Sequence, residues 1–339
     1  MFQKDTILAT NTYGSVGENQ LTNEARTFYR LDLIKRLLPF LPMFADGQKK
    51  TVPAHTGGFG SGQIQWRKFA SLAAATTPLT EGVPPVGDNL SISTVTANLS
   101  QYGKLLKITD IAANAGIDDV ARESKNLLAE NAGQSLHQLL ITELKNATGT
   151  QIANGRAART DLVATDILNA YEIKKAVRTL HNNKAPRFPD GCYHGLLHPN
   201  QVFDLSNDDE WIDVTTQSGG GARDNGPSML QYGQMGFVGK FHNTLFKMST
   251  DTPSYTSPTS YGALIYGPDF YAMCDFVGMT MNDVNPQSNL GMDVTYIPPG
   301  VKDKQDPFGQ YGVAGWFCAF VAKILDDGRA VLLHTGATA

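Results

Sequence analysis

The stretch TPLTEGVPPVGDNLSISTVTANLSQYGKLLKITD, from Thr77 to Asp110, constrains the fold of this chain more than any other. One end is rich in proline, glycine and small polar residues; a long β-branched run follows, with almost no side chain suited to chemistry. Just before it, GQIQWRKFASL alternates, with Ile64 and Trp66 on one side and Gln63, Gln65 and Arg67 on the other. Two strands of about ten residues joined by a turn-rich tip make a ribbon that reaches roughly 33 Å. Such a ribbon is marginal in water by itself, so this one must lie on another surface. Along LSISTVTANLS the alternation changes phase between Ile92 and Val95, which predicts a bulge or a strong twist.

A second long feature follows the ribbon. In GIDDVARESKNLLAENAGQSLHQLLITELKNATG, Val120, Leu127, Leu128, Ala132, Leu136, Leu139, Leu140 and Leu144 form one apolar stripe at spacings of three and four. Asp118 or Asp119 is the expected N-cap and Gly149 the expected stop, which predicts a helix of about 28 residues, roughly 42 Å long. Upstream, Leu31, Ile34, Leu37 and Leu38 predict a short helix ended by Pro39. Downstream, TDILNAYEIKKAVRTLHNN predicts a helix capped by Thr165, with Ile167, Leu168, Tyr171, Ala176, Val177 and Leu180 inward. CYHGLLHP and YGALIYGPDFYAMCDFVG read as strands, and GWFCAFVAKILDDGRAVLLHTG as a closing hairpin turned at DDG. The class is α+β.

Charge and cysteine usage exclude several functions. Lys and Arg number 28 against 32 Asp and Glu, a formal net charge of -4, so no global basic field draws in nucleic acid. Three widely spaced cysteines, Cys192, Cys274 and Cys318, fit a reducing compartment without a disulfide framework. The first twenty residues lack a basic region followed by an apolar run, and no stretch approaches about 18 consecutive apolar residues. The chain is therefore expected to be cytosolic when made, with no signal peptide and no membrane span.

Candidate chemistry is sparse. Cys192, His194 and His198 in CYHGLLH could form half of a zinc site, but a closed site needs four ligands and no second cluster exists in the sequence; a strand running into a His-Pro turn is the expected alternative. NDDEW, Asn207 to Trp211, lacks the spacing of a calcium loop and is expected to be solvated. GGGARDNG lacks the strand and lysine of a phosphate cradle. No G-x-S-x-G occurs, although a scattered Ser/His/Asp set could still assemble in space. No catalytic residue, metal ligand or cofactor is assigned.

The segment GQIQWRKFASLAAATTPLTEGVPPVGDNLSISTVTANLSQYGKLLKITD resembles the pattern W/F-R-x-Y/F, TPLTEGV-x-P, TA-x-LSQYG, LTD of tailed-phage major capsid proteins, in the branch typified by coliphage N-four. LLAENAGQSLHQLL, ARTDLVATDILNA and GLLHPNQVFDL resemble the next blocks in the same order, so the likeness covers about residues 26 to 215. It implies an HK97-type capsid fold: an N-terminal arm over 1–50, an extended loop over 51–112, and a peripheral domain with its spine helix over 113–163. An axial domain over 164–255 and a return to the peripheral sheet over 256–339 complete it.

The ribbon would then lie across a neighbouring copy, which is the second surface it needs. Trp66, Arg67, Phe69, Pro78, Leu79, Thr80, Glu81, Val83, Leu90 and Ile92 become the expected contacts between subunits, and Leu128, Leu136, Leu139 and Leu140 the core of the spine helix. The implied function is an icosahedral head shell around double-stranded DNA, in the virion, assembled in the host bacterial cytoplasm. The implied partners are copies of the chain itself in hexamers and pentamers, a portal and a separate scaffolding protein. A decoration protein stays open, and packaged DNA is expected to be touched weakly and non-specifically. The start at Met1 is expected to mean that no prodomain is cleaved. Some shells of this fold are crosslinked through a lysine on the extended loop; Lys68 lies on the strand near Trp66 and is expected to be solvated, so non-covalent contacts alone are expected. The alternative of another class is a soluble α+β hydrolase or binding protein with an oligomerisation arm.

Overall fold

The computed structural model describes residues 41–50, 63–69, 87–111, 120–211, 237–274, 293–297, 299–301 and 306–338, with isolated positions between 72 and 82. The expected leader helix around Leu31–Leu38 and the GGGARDNG loop lie outside these residues.

In chain order the elements begin with strands β1 (Gln48–Lys50), β2 (Gln63–Phe69), β3 (Ile92–Asn98) and β4 (Ser100–Thr109). Helix α1 (Val120–Leu144), strand β5 (Thr150–Ile152), helix α2 (Ala170–Asn182), strand β6 (Tyr193–Leu197) and helix α3 (Pro199–Ser206) follow. Strands β7 (Phe237–Phe241), β8 (Thr244–Met248), β9 (Ser254–Thr256), β10 (Thr259–Tyr266) and β11 (Tyr271–Cys274) come next. The chain closes with β12 (Asp293–Ile297), β13 (Tyr311–Phe320), β14 (Ala322–Ile324) and β15 (Ala330–Thr335).

A seven-stranded mixed sheet, ordered β5-β15-β10-β6-β8-β7 with β9 also on β10, forms the centre. Its inner strands are apolar on both faces, as a sheet covered on both sides requires. Leu196, Leu264, Tyr266, Ala330 and Leu332 join the core that includes α1, whereas Tyr193, Leu197, Ala263, Ile265, Val331 and Leu333 join the core under α2. The period-two alternation of side chains sends successive residues to opposite cores.

Helix α1 contributes one buried line, Leu128, Ala132, Leu136, Leu140 and Leu144, repeating every fourth residue. Ala129 and Ile141 widen it. Leu139, expected in the spine core, is half-buried and packs against this cluster. Leu127 does not belong to the stripe: it is 53% exposed, because one residue before Leu128 is a turn of about 100° away from the buried line. The helix also ends at Leu144, five residues before the expected stop, and runs to 25 residues. Gly149 serves a different need. A Cβ there would stand 2.6 Å from the Ala330 carbonyl, and the Gly149 carbonyl accepts the Leu332 amide at 2.8 Å, so the glycine lets the chain approach β15.

Four further expectations change. Helix α2 starts at Ala170, capped by Asn169, whose Oδ1 accepts the Glu172 amide at 3.0 Å, and not at Thr165. The Asp166 carboxylate holds the preceding loop: it accepts from Asn154 Nδ2 at 2.6 Å, Arg156 Nε at 3.0 Å and the Val163 amide at 3.0 Å. Tyr171, expected inward, is 68% exposed, while Ile173, Ala176, Val177 and Leu180 are buried.

The expected closing hairpin does not form. β13 pairs with β4 and β12, β14 pairs with β11, and β15 crosses to the central sheet between β10 and β5. DDG forms a short helical turn capped by Asp326 instead of a two-strand reversal. The segment 256–339 therefore divides. β10 and β15 lie in the sheet that holds β6, and β11 to β14 pair with β1, β4 or one another.

The phase change in LSISTVTANLS produces no bulge. β2 and β3 pair without a register shift from Gln63 opposite Asn98 to Phe69 opposite Ile92. Val95 and Ala97 lie on the inner face with Trp66 and Ile64, and Ile92 lies on the outer one.

Candidate assembly surfaces

The ribbon is fastened at its base and open on its outside. Ile64, Trp66 and Ala97 enter the core shared with α1. Trp66 is 3% exposed within its own chain, so its indole is core and is not carried forward as a contact between subunits. Lys68 is not simply solvated either. Its Nζ lies 2.6 Å from Asp326 Oδ2, next to Arg329, whose Nε reaches the same carboxylate oxygen at 3.1 Å. Burial would raise the pKa of Asp326, but the Lys68 hydrogen bond and the charges of Lys68 and Arg329 hold its carboxyl below the usual range. Lys50 Nζ donates to the Gln65 carbonyl, which adds a second tie between the ribbon and the body.

On the outer side Phe69 is 58% and Leu90 64% exposed, and Leu72 and Ile92 are exposed beside them in sequence and pairing. Arg67, Pro78 and Glu81 are exposed, whereas Leu79, Thr80 and Val83 lie outside the described residues. Sequence reasoning missed Leu105 and Phe308, both exposed. A signal existed for the first: Leu105 and Leu106 are adjacent on an alternating strand, so one of them must face out.

The segment 41–50 is locked to the body by a buried polar cluster. Asp46 Oδ2 lies 2.7 Å from Lys247 Nζ on β8, 2.7 Å from the Tyr266 hydroxyl on β10 and 2.9 Å from His194 Nδ1 on β6. The other ring nitrogen of His194 faces Asp190 Oδ2 at 2.9 Å, and the ring stacks on Phe188. Lys247 also donates to the Pro42 carbonyl at 3.0 Å, and the Tyr271 hydroxyl donates to Met43 O at 2.5 Å. Burial would raise the Asp46 carboxyl, but the His194 and Lys247 interactions outweigh it and keep it below its ordinary value. Burial, with the Asp46 charge second, pushes the Tyr266 and Tyr271 hydroxyls well up.

The same residues answer the metal reading. Cys192 is buried, with its Sγ toward the Asp190 carbonyl at 3.6 Å. His194 is engaged by two carboxylates, and His198 caps α3, its Nδ1 accepting the Asn200 amide at 3.2 Å. Among the described residues no group of three His, Cys, Asp or Glu side chains is arranged to hold a metal ion. The strand into a His-Pro turn is what forms, as β6 and α3. NDDEW is more ordered than a solvated loop. Asp208 accepts the Ala170 amide at 3.0 Å and the Glu210 amide at 3.0 Å, and Trp211 is buried.

One Ser/His pair does assemble. His137 Nε2 on α1 is 3.0 Å from Ser249 Oγ, near Asp251. His137 Nδ1 is buried with no hydrogen-bond partner among the described residues, so no carboxylate orients the ring as a catalytic base requires. Burial pulls the ring down to about 4, with the Asp251 charge opposing, so it stays neutral. The pair ties α1 to the turn after β8. No helix among the described residues is long and apolar enough to cross a membrane.

No protein-family profile matches the chain, and no curated protein matches it in sequence. Solved structures do match in shape. The capsid of Ralstonia phage GP4 superposes with a TM-score of 0.67 at 14% identity, covering 86% of this chain and 87% of that one. The capsid of cyanophage Pam1 gives 0.60 at 12% identity, covering 90% and 92%. The SrpI encapsulin of Synechococcus elongatus gives 0.52 at 10% identity, covering 100% and 98%. The chain therefore has the HK97-type fold of phage head shells, α+β as expected.

Proposed function

We propose that this chain is the major capsid protein of a tailed phage: copies assemble as hexamers and pentamers into the icosahedral shell that encloses the double-stranded DNA genome. The observation that carries this reading is the ribbon, anchored inside by Ile64, Trp66 and Ala97 and exposing Phe69, Leu72, Leu90 and Ile92 outside, on a fold shared with phage capsids. A patch of this kind on one chain marks an interaction site, and a neighbouring copy supplies the cover. Arg67, Pro78 and Glu81, exposed on the same arm, belong to that contact.

The motifs TPLTEGV and LSQYG support the finer reading, membership of the branch typified by coliphage N-four. A portal, a separate scaffolding protein and assembly in the bacterial cytoplasm accompany that reading. Lys68, engaged by Asp326, supports a shell without covalent crosslinks.

Electron microscopy and sizing of the expressed full chain test the proposal. Rings or closed shells are expected. A small discrete oligomer with no shell at any protein or salt concentration would overturn it in favour of a soluble protein with an oligomerisation arm.

A further inference from the structure

The surface of α2 carries a row of positive charge that the shell reading does not use. Tyr171, Lys174, Arg178 and His181 follow one another at spacings of three, four and three, which puts them on one face of the helix. That face is opposite the buried Ile173, Ala176, Val177 and Leu180. Lys184 and Arg187 continue the row past the C-terminus of the helix. Arg178, His181, Lys184 and Arg187 are exposed, as are Asn182 and Asn183 between them.

Of the four Lys and Arg side chains in the row, one is neutralised locally and three are not. Lys174 pairs with Glu210 and Lys175 with Glu172 at 3.5 Å. Arg178, Lys184 and Arg187 form no ion pair with any described residue. The Arg187 guanidinium is oriented by His181 Nε2 at 2.9 Å and lies over the Tyr193 ring at 5.8 Å. From Lys174 to His181 the row covers about 10 Å of helix axis.

We infer that this strip is the place where each subunit holds the phosphate backbone of duplex DNA, an inference that rests on the shell reading above. Duplex DNA presents one negative charge about every 1.7 Å of its axis, so the spaced cations of one strip face several phosphates. Arg178 and Arg187 bring planar forks suited to phosphate oxygens, and Asn182 brings an amide donor that needs no charge. An acidic protein surface fits less well. The strip offers one aromatic side chain, Tyr171, at its end, and no apolar centre of the kind protein interfaces bury. With Arg178, Lys184 and Arg187 as the contacts, binding by one subunit is weak and steeply salt-dependent, and a shell multiplies it.

The test uses the unassembled full chain and a fluorescein-labelled 30-base-pair duplex of arbitrary sequence, with anisotropy read at about 50 and 200 mM NaCl. Three phosphate contacts predict roughly a 40-fold loss of affinity across that range, and the Arg178→Gln, Lys184→Gln double variant only about a 4-fold loss from a weaker starting point. Lys104→Gln with Lys107→Gln on β4 is the control of equal charge change and should behave as wild type. Equal binding by the double variant and wild type, or no binding by wild type at 50 mM NaCl, overturns the inference. So does displacement of the duplex by equimolar poly-glutamate, or a double variant that binds duplex normally but assembles no shells, since either makes the partner an acidic protein surface. Micrographs of wild type keep the outcomes apart: shells that form without strip-dependent binding sink this inference and leave the proposed function standing.

Discussion

The inner strands of the central sheet are apolar on both faces whereas β2 of the ribbon alternates, and the two regions end in opposite states of burial. In the sheet, β6 and β15 are buried at every position, one face against the α1 core and the other against the α2 core. In the ribbon only Ile64, Trp66 and Ala97 are buried, and Phe69 and Ile92 face away from the chain. A sheet that finds two helical layers in its own chain is complete. A ribbon that finds one is half complete, and the free half is where the assembly reading rests.

The largest effect that would break this comparison belongs to the closed region. Leu136→Asp puts an unpaired charge in the middle of the buried line of α1, a change expected to cost several kcal/mol and to yield insoluble protein. Leu139→Asp, half-buried, should be milder in the same solubility assay. Soluble, normally melting Leu136→Asp would mean that α1 is not the spine of the core.

Next comes the lock on segment 41–50. Asp46→Asn leaves Lys247 buried beside a neutral amide, and such a broken pair costs about 3–5 kcal/mol. The midpoint of urea unfolding should fall accordingly, and faster proteolysis near residue 46 should accompany it. An unchanged midpoint would show that the cluster is dispensable.

A smaller effect comes with acid. His137 and His334 are both held down to about 4 in the folded chain, each by burial first, against an ordinary value of 6.5. Between those values the unfolded chain binds more protons than the folded one, so stability falls as pH drops from 6.5 to 4, by up to about 3 kcal/mol for His137. Asp46, held low, keeps its contribution through this window and loses it only below its ordinary 3.8. Denaturant midpoints at pH 7 and 4.5 check this, and His137→Gln should flatten the difference. Equal midpoints for wild type would refute the neutral, buried ring.

The smallest effect on the subunit is expected where the effect on assembly is greatest. Deleting Ala73 to Asn89 removes the tip and leaves Trp66, Ile64 and the Lys68 pair in place, so cooperative melting should stay within about 0.5 kcal/mol of wild type while no shell closes. Loss of cooperative melting would place the tip in the subunit core and erase the distinction between the two regions.

Much of this is legible in the sequence. The alternation around Trp66, the four-residue repeat from Leu128 to Leu144 and the apolar run Tyr193–Leu197 are local signals, and each element formed close to where its pattern lies. The errors share a cause. Tyr171 and Leu127 are apolar-looking residues beside a helical stripe, and only the neighbouring sheet decides where the stripe's edge falls. The phase change at Ile92 looked like a bulge because a strand with one face open tolerates an apolar residue on either side.

What the sequence determined by itself was the inventory: a long arm, a long helix, strands of period two, and few residues placed for chemistry, because periodicity is a property of a few consecutive residues. What only the tertiary structure decided was the pairing. β14 and β15, separated by five residues, go to different sheets, since β11 and β10 offer each an edge that the other cannot reach. Lys68 meets Asp326, and Asp46 meets Lys247, His194 and Tyr266, across separations that no local pattern encodes. Their partners are set by the packing of α1 against the sheets, and that packing exists only once the whole chain has closed around it.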